Sequence, residues 1–91
     1  MSITAKRRAW KYRLKKLYGI TPEIYREMLT KQNYVCAICD EPELTQKNLA
    51  VDHCHRSGKV RGLLCQRCNT LLGLAEDNLG ILRNAMTYLT S

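Results

Sequence analysis

Four of the five cysteines in this 91-residue chain fall in two pairs of the same spacing, Cys36-Ala-Ile-Cys39 and Cys65-Gln-Arg-Cys68. Two thiolates with two residues between them both reach one ion, and a second such pair completes a tetrahedral site with sulfur–metal bonds of about 2.3 Å. Protein then fills every position, so the expected metal is a structural zinc with no open place for water. A redox pair would explain one of the motifs but not both, and an iron–sulfur cluster is the remaining alternative. A disulfide framework is the weaker reading, because the chain shows no export signal and reducing compartments keep thiols free. A chain this short buries little apolar surface and leans on such a staple. Cys54 is left over; a buried free thiol is its expected state, and no role is assigned to it.

Apolar residues make up 45% and charged residues 25%, the balance of an ordinary globular domain and not of a disordered chain. No apolar run approaches the roughly 20 residues of a membrane span. The N-terminal stretch MSITAKRRAWKY is basic but has no apolar core segment, so it does not read as a secretory signal, and a cytoplasmic protein is expected. Charge is distributed unevenly. Lys6, Arg7, Arg8, Lys11, Arg13, Lys15 and Lys16 all precede the first acid, Glu23, while residues 23–91 hold eight basic and eight acidic residues, so the first 22 residues carry the whole net charge of +7. That pattern reads as an arm for a polyanion, nucleic acid before any other. The bland alternative, a solvated helix face, is not normally so free of acids.

Residues 5–18 are predicted helical, with Trp10, Leu14, Leu17 and Tyr18 as one apolar stripe and Gly19 as the stop. Thr21-Pro22 is an N-cap followed by proline at the first helical position. A second helix is expected from there to about Lys31, burying Ile24, Tyr25, Met28 and Leu29. The first cysteine pair lies in a turn, and the polar run 40–48 reads as a loop. Leu49-Ala50-Val51 is a short strand leading into Asp52-His53-Cys54-His55, and Val60-Arg61-Gly62 returns as its hairpin partner across Arg56-Ser57-Gly58-Lys59. Helical spacing resumes over 63–74, with the second cysteine pair at its start and Asn69 inside it. A last helix, about 77–89, carries Leu79, Ile81, Leu82, Met86, Tyr88 and Leu89. This order is α+β.

Asp52, His53, His55 and Asn69 form the second constellation. These are the only two histidines of the chain, and both flank one strand end. Alternation along the strand points Asp52 and Cys54 one way and His53 and His55 the other. A hard divalent cation such as magnesium prefers oxygen and keeps several waters, so one or two protein ligands suffice; Asp52 and the Asn69 amide oxygen would supply them. A neutral imidazole beside such an ion can take a proton from water near neutral pH. From the residues alone, this catalytic arrangement and a second structural metal site are both open.

The run Cys36–Cys39, then Val51-Asp52-His53-Cys54-His55, then Gly58-Lys59-Val60-Arg61-Gly62-Leu63-Leu64-Cys65, then Cys68-Asn69, resembles the recombination endonuclease VII family. That family belongs to the HNH, or ββα-metal (His-Me finger), nucleases, and the likeness covers about residues 20–75. It implies a hairpin-plus-helix nuclease motif built over a four-cysteine zinc, with Asp52 and Asn69 as ligands of a catalytic magnesium or manganese. It also implies His53 as the general base and His55 as a further active-site residue near the phosphate. Arg61 is a candidate, with His55, for holding phosphate oxygens.

The expectation is therefore a small zinc-stabilised ββα-metal motif with flanking helices, divided into a basic N-terminal helix over 1–19 and a nuclease domain over 20–91 that together make one compact domain. Its expected activity is hydrolysis of DNA phosphodiester bonds. Lys6, Arg7, Arg8, Lys11, Arg13, Lys15, Lys16 and Arg61 are the candidate DNA-contacting residues. The alternative is a zinc-binding module that grips nucleic acid and cuts nothing. Monomer and homodimer stay open, and no membrane partner is expected.

Overall fold

The hairpin expected around the DHCH run carries the rest of the molecule. The computed structural model describes residues 3–43 and 48–90, with side chains from residue 8 onward. In it, β1 (Ala50–His53) pairs antiparallel with β2 (Val60–Leu64). The register sets Ala50 opposite Leu64, Val51 opposite Leu63, Asp52 opposite Gly62 and His53 opposite Val60. Arg61 is thus the extra residue of a bulge, a device that re-aims side chains and is common beside active sites. The connecting turn closes with Cys54 N–H donating to the Lys59 carbonyl at 2.8 Å, and it needs Gly58 at a φ of 76°.

β2 runs farther than the sequence periodicity suggested: Leu63 and Leu64 belong to the strand and not to the following helix. Both are buried, and Leu63 is among the most enclosed side chains of the core. The third helix starts only at Gln66, because Cys65 serves as its N-cap, its sulfur accepting from Cys68 N–H at 3.4 Å. The helical spacing of leucines over 63–74 thus joins two strand residues to a shorter helix. Gln32 extends the hairpin without a third strand. Its amide oxygen accepts from Leu63 N–H at 2.9 Å, and its amide nitrogen donates to the Leu63 and Val35 carbonyls, each at 2.9 Å. Gly62 permits that approach, since a Cβ there would lie 3.3 Å from the Gln32 oxygen.

The first helix, α1 (Ile3–Arg13), winds into a π-type turn over Leu14–Tyr18 and ends at Gly19 in the left-handed region. The wider π winding carries Leu17 off the face held by Leu14 and leaves Tyr18 on it. Leu14 is buried and Tyr18 packs against the core, but Leu17 is 61% exposed, against the stripe expected at ordinary helical spacing. Helix α2 (Pro22–Lys31) begins as the sequence indicated, Thr21 Oγ1 accepting from Ile24 N–H at 3.2 Å. Its buried line runs through Pro22 and Tyr25 to the half-buried Leu29; Ile24 lies off that line and is 41% exposed. The Tyr25 hydroxyl donates to the Leu49 carbonyl at 2.6 Å, and the Trp10 ring meets Tyr25 edge-on at 5.2 Å. Burial pushes the Tyr25 phenol up to about 12.

Helices α3 (Gln66–Leu74) and α4 (Leu79–Thr90) follow. The last helix starts two residues later than expected, because Glu76 and Asp77 take left-handed φ values of 53° and 55°. Asn78 caps it instead, its side-chain oxygen accepting from Ile81 N–H at 3.0 Å. No described residue of α4 is buried: Leu82 is half-buried, while Leu79, Ile81, Met86, Tyr88 and Leu89 are exposed. The described molecule measures 51 × 27 × 25 Å. Residues 44–47 of the expected polar loop lie outside the described residues. No described helix is long and apolar enough to cross a membrane.

Candidate metal and catalytic centre

The two cysteine pairs meet. The Sγ atoms of Cys36, Cys39, Cys65 and Cys68 all lie within 4.8 Å of one another, and Cys39 Sγ is 3.8 Å from Cys65 Sγ. Four sulfurs at about 2.3 Å from a common centre form a tetrahedron with edges of roughly 3.8 Å, so the cluster has the size and donor chemistry of a structural zinc site. Among the described residues it is the one group of three or more Cys, His, Asp or Glu side chains close enough to share an ion. Its local folding is fixed by backbone. The turn 36–40 closes with Asp40 N–H on the Cys36 carbonyl at 3.0 Å, Asp40 taking a left-handed φ of 61°. Ile38 N–H points at Cys36 Sγ at 3.4 Å.

The thiols of the cluster perturb one another's ionisation. Burial works against ionisation of Cys36, but the backbone N–H groups of Cys39, Cys65 and Ile38 outweigh it and bring that thiol down to about 6. Burial, followed by hydrogen bonding to the neighbouring thiols, pushes Cys68 up to about 12. One thiolate in such a cluster makes the next one costly, and a divalent cation removes that cost by replacing the protons.

At the other end of the hairpin lies the DHCH run, with Asp52 and His53 at the end of β1 and His55 in the connecting turn. Asp52 is turned inward and only 7% exposed. The rings of His53 and His55 lie 5.0 Å apart and are tilted by 49°. Arg61, freed from the ladder by the bulge, closes back on Asp52: Nε donates to Oδ2 at 2.7 Å and a terminal nitrogen to Oδ1 at 2.9 Å. This is the two-pronged guanidinium–carboxylate pair, the strong form of the interaction. It raises the Arg61 guanidinium above its ordinary value, through the Asp52 hydrogen bonds first. Asn69 sits exposed in the first turn and a half of α3, and its side chain makes no hydrogen bond among the described residues.

Two residues join this end that local sequence pattern puts in helices, Asp77 and Tyr18. Asp77, expected at the start of the last helix, accepts from Arg61 at 3.3 Å through Oδ1, and its Oδ2 lies 3.0 Å from Nδ1 of His55. The hydrogen bond with His55, more than that with Arg61, holds the Asp77 carboxyl below the usual carboxylate range. Tyr18, assigned to the apolar stripe, brings its ring to 5.4 Å from that of His53. The acid just before a capping asparagine was visible for Asp77; for Tyr18 no local signal marks the π turn.

Cys54 is free and half-buried, and hydrogen bonds from Ser57 and Arg56 bring it down to about 7. Arg8, Lys11, Arg13, Lys15 and Lys16 are exposed; the side chains of Lys6 and Arg7 lie outside the described ones. Because Tyr18 abuts His53, the basic helix ends against this cluster, with Lys15 and Lys16 in the same turn.

Residues 11–91 match the recombination endonuclease VII family. The "Gene 59 protein" of Mycobacterium phage D29 is 43% identical over 82 residues, which are 89% of this chain and 50% of that protein. The protein of the same name from Mycobacterium phage L5 is 40% identical over the same shares of the two chains. The chain thus spans about half the length of these curated relatives.

Proposed function

The chain belongs to the recombination endonuclease VII family, and on that premise we propose that it is an HNH-type endonuclease that hydrolyses DNA phosphodiester bonds with a divalent cation. The observation that carries the proposal is the juxtaposition at the hairpin end: a buried carboxylate, two adjacent imidazoles and an arginine paired with that carboxylate.

In this reading Asp52 and Asn69 hold magnesium or manganese. Their oxygens suit a hard cation, each Asp52 oxygen keeps a lone pair beyond its Arg61 bond, and the Asn69 amide has no competing partner among the described residues. Once bound, such a cation supplies charge neutralisation at the phosphate and at the leaving sugar oxygen. His53 accepts the proton of the attacking water. Arg61 and His55 bind non-bridging phosphate oxygens, placing the phosphorus for in-line attack; preorganised charge of this kind does most of the work in phosphoryl chemistry. Zinc on the four cysteines, fully ligated by protein, ties the turn after α2 to the start of α3 and takes no part in turnover. The basic helix lies along the DNA backbone.

One observation favours a second reading, a module that binds nucleic acid without cutting: Arg61 engages both oxygens of Asp52. Supercoiled plasmid incubated with the protein and magnesium separates the two. The nuclease gives nicked product that EDTA abolishes, and His53→Ala slows it by about 10²–10⁴-fold while DNA affinity and melting temperature hold. Plasmid, four-way junction and linear duplex all left intact by a zinc-loaded, DNA-binding protein would establish the binding module.

A further inference from the structure

We propose that Asp77, on the turn between α3 and α4, is a positioning residue that sets the orientation of His55 and Arg61 toward a phosphodiester. The site would then be completed by a carboxylate delivered from outside the hairpin–helix unit. The inference rests on the nuclease reading and names a residue that this reading does not require.

The geometry is specific. Each carboxylate oxygen of Asp77 has its own partner: Oδ2 lies 3.0 Å from His55 Nδ1, and Oδ1 accepts from the terminal nitrogen of Arg61 at 3.3 Å. That same nitrogen donates to Asp52 Oδ1 at 2.9 Å, so four side chains from three separate stretches of chain form one continuous network. Asp77 is partly shielded, its side chain 22% exposed, whereas the His55 side chain is 71% exposed and has no other anchor of this kind among the described residues.

The placement of Asp77 does not depend on those partners. Its own N–H donates to the Leu72 carbonyl at 3.0 Å, Glu76 N–H to Gly73 at 3.0 Å, and Asn78 N–H to Ala75 at 2.9 Å. Glu76 and Asp77 hold left-handed φ values of 53° and 55° just past the C-cap of α3, so the ending of that helix fixes the backbone of Asp77. Helix capping does not account for the carboxylate either, because Asn78 supplies the cap of α4.

A consequence for His55 follows from donor chemistry. An ionised carboxylate only accepts, so Nδ1 of His55 carries the hydrogen and, in the neutral ring, Nε2 carries the lone pair. The Nε2 edge is then the one presented to substrate. Without Asp77 the ring is free to rotate and to take the other tautomer. For Arg61, the second carboxylate gives the guanidinium an anchor other than Asp52 when that residue is engaged by a cation.

The test uses the full, zinc-loaded chain with ¹⁵N-labelled histidine, His55 being assigned by the signals lost in His55→Gln. Above the titration of the imidazoles, the parent shows His55 as the Nδ1–H tautomer and Asp77→Ala shows the Nε2–H form. In plasmid nicking, Asp77→Ala loses about 10- to 100-fold in kcat, the usual scale for a residue that orients a ligand or catalyst, with KM for DNA little changed. Asp77→Asn, which keeps one acceptor oxygen where two are needed, recovers part of both effects and serves if the alanine variant loses zinc or its cooperative melt. An unchanged tautomer in both variants, or unchanged kcat beside an active parent, overturns the inference. A parent that leaves plasmid intact overturns the nuclease reading and the catalytic half of the inference with it, and the tautomer still decides the positioning half.

Discussion

The two ends of one hairpin hold two polar clusters built in opposite ways. Toward Cys65, four thiols from one turn and the start of α3 converge on a volume one ion would fill, with Cys36, Cys65 and Cys68 buried and backbone N–H groups aimed at the sulfurs. Toward His53, the side chains come from β1, the bulge in β2, the α3–α4 turn and the π turn after α1, and they stay partly open to solvent. The first arrangement suits a site that folds the protein, where every donor must be held and no position left open. The second suits a site that meets substrate, with side chains held by a few hydrogen bonds that can be exchanged. Perturbing them should therefore read out differently, in stability at one end and in rate at the other.

The largest effect is expected at the thiol end. One zinc per chain should be found by elemental analysis, and Cys36→Ser or Cys68→Ala should abolish the cooperative thermal transition. Structural zinc contributes on the order of 10 kcal/mol of apparent folding energy in small domains, more than a chain of this size has to spare. Chelation and acid should act in the same direction, since protons compete with the cation for the same thiolates. A zinc-free protein, or a Cys36→Ser variant melting like the parent, would break the comparison at its first limb.

Next comes the carboxylate end. Asp52→Ala and Asn69→Ala should keep zinc and melt cooperatively, yet need much more magnesium for half-maximal nicking. Asp52→Ala removes the main partner of Arg61, so its loss should exceed that of Asn69→Ala. Magnesium titrations of nicking rate check both. Equal magnesium dependence in parent and variants would remove these residues from the cation site.

How far the sequence carried this picture follows from the same contrast. The thiol cluster was legible because its information is local: two identical spacings name four candidate ligands before any fold is known. The cap at Thr21, the two helices around it and the hairpin were legible for the same reason, each resting on residues a few positions apart. What was not legible depends on register and winding. That Arg61 is left over in the ladder follows from pairing Asp52 with Gly62 and His53 with Val60, and no pattern in Val60-Arg61-Gly62 announces it. Leu63 and Leu64 fit a helical stripe as well as a strand, and their burial against β1 decides between them. Asp77 reaches His55 from 22 residues away. A helical period also cannot reveal that α4 keeps its apolar side exposed among the described residues.

A smaller effect separates the basic helix from both clusters. Replacing Lys11, Arg13, Lys15 and Lys16 with Gln removes charge and leaves Trp10, Leu14 and Tyr18 in place. Each phosphate contact contributes about 0.9 to the slope of log affinity against log salt, so the quadruple variant should flatten that slope by up to roughly 3.6. Base preference should be unaltered, because such contacts position a protein without reading sequence. Nicking at saturating DNA should also be close to parental. An unchanged salt slope would assign these charges to solvent.

The smallest effect tests whether the π turn matters to the His53 end at all. Tyr18 is half-buried, packs against the core and sets its ring 5.4 Å from that of His53 at a tilt of 55°. Its hydroxyl makes no hydrogen bond among the described residues, so what it offers His53 is a wall and not a charge. A wall limits the rotation of the imidazole that is proposed to take the proton, and small displacements of a reacting group are costly in rate. Tyr18→Phe should therefore leave nicking unchanged. Tyr18→Ala should lower kcat within a factor of about 10, with KM for DNA nearly constant. Loss of one ring contact costs about 1 kcal/mol, so the alanine variant should melt a little earlier, and Tyr18→Leu, which restores bulk, should recover most of the stability and part of the rate. Parental nicking by Tyr18→Ala would show that the π turn only shapes the core and leaves the proposed base His53 unaffected.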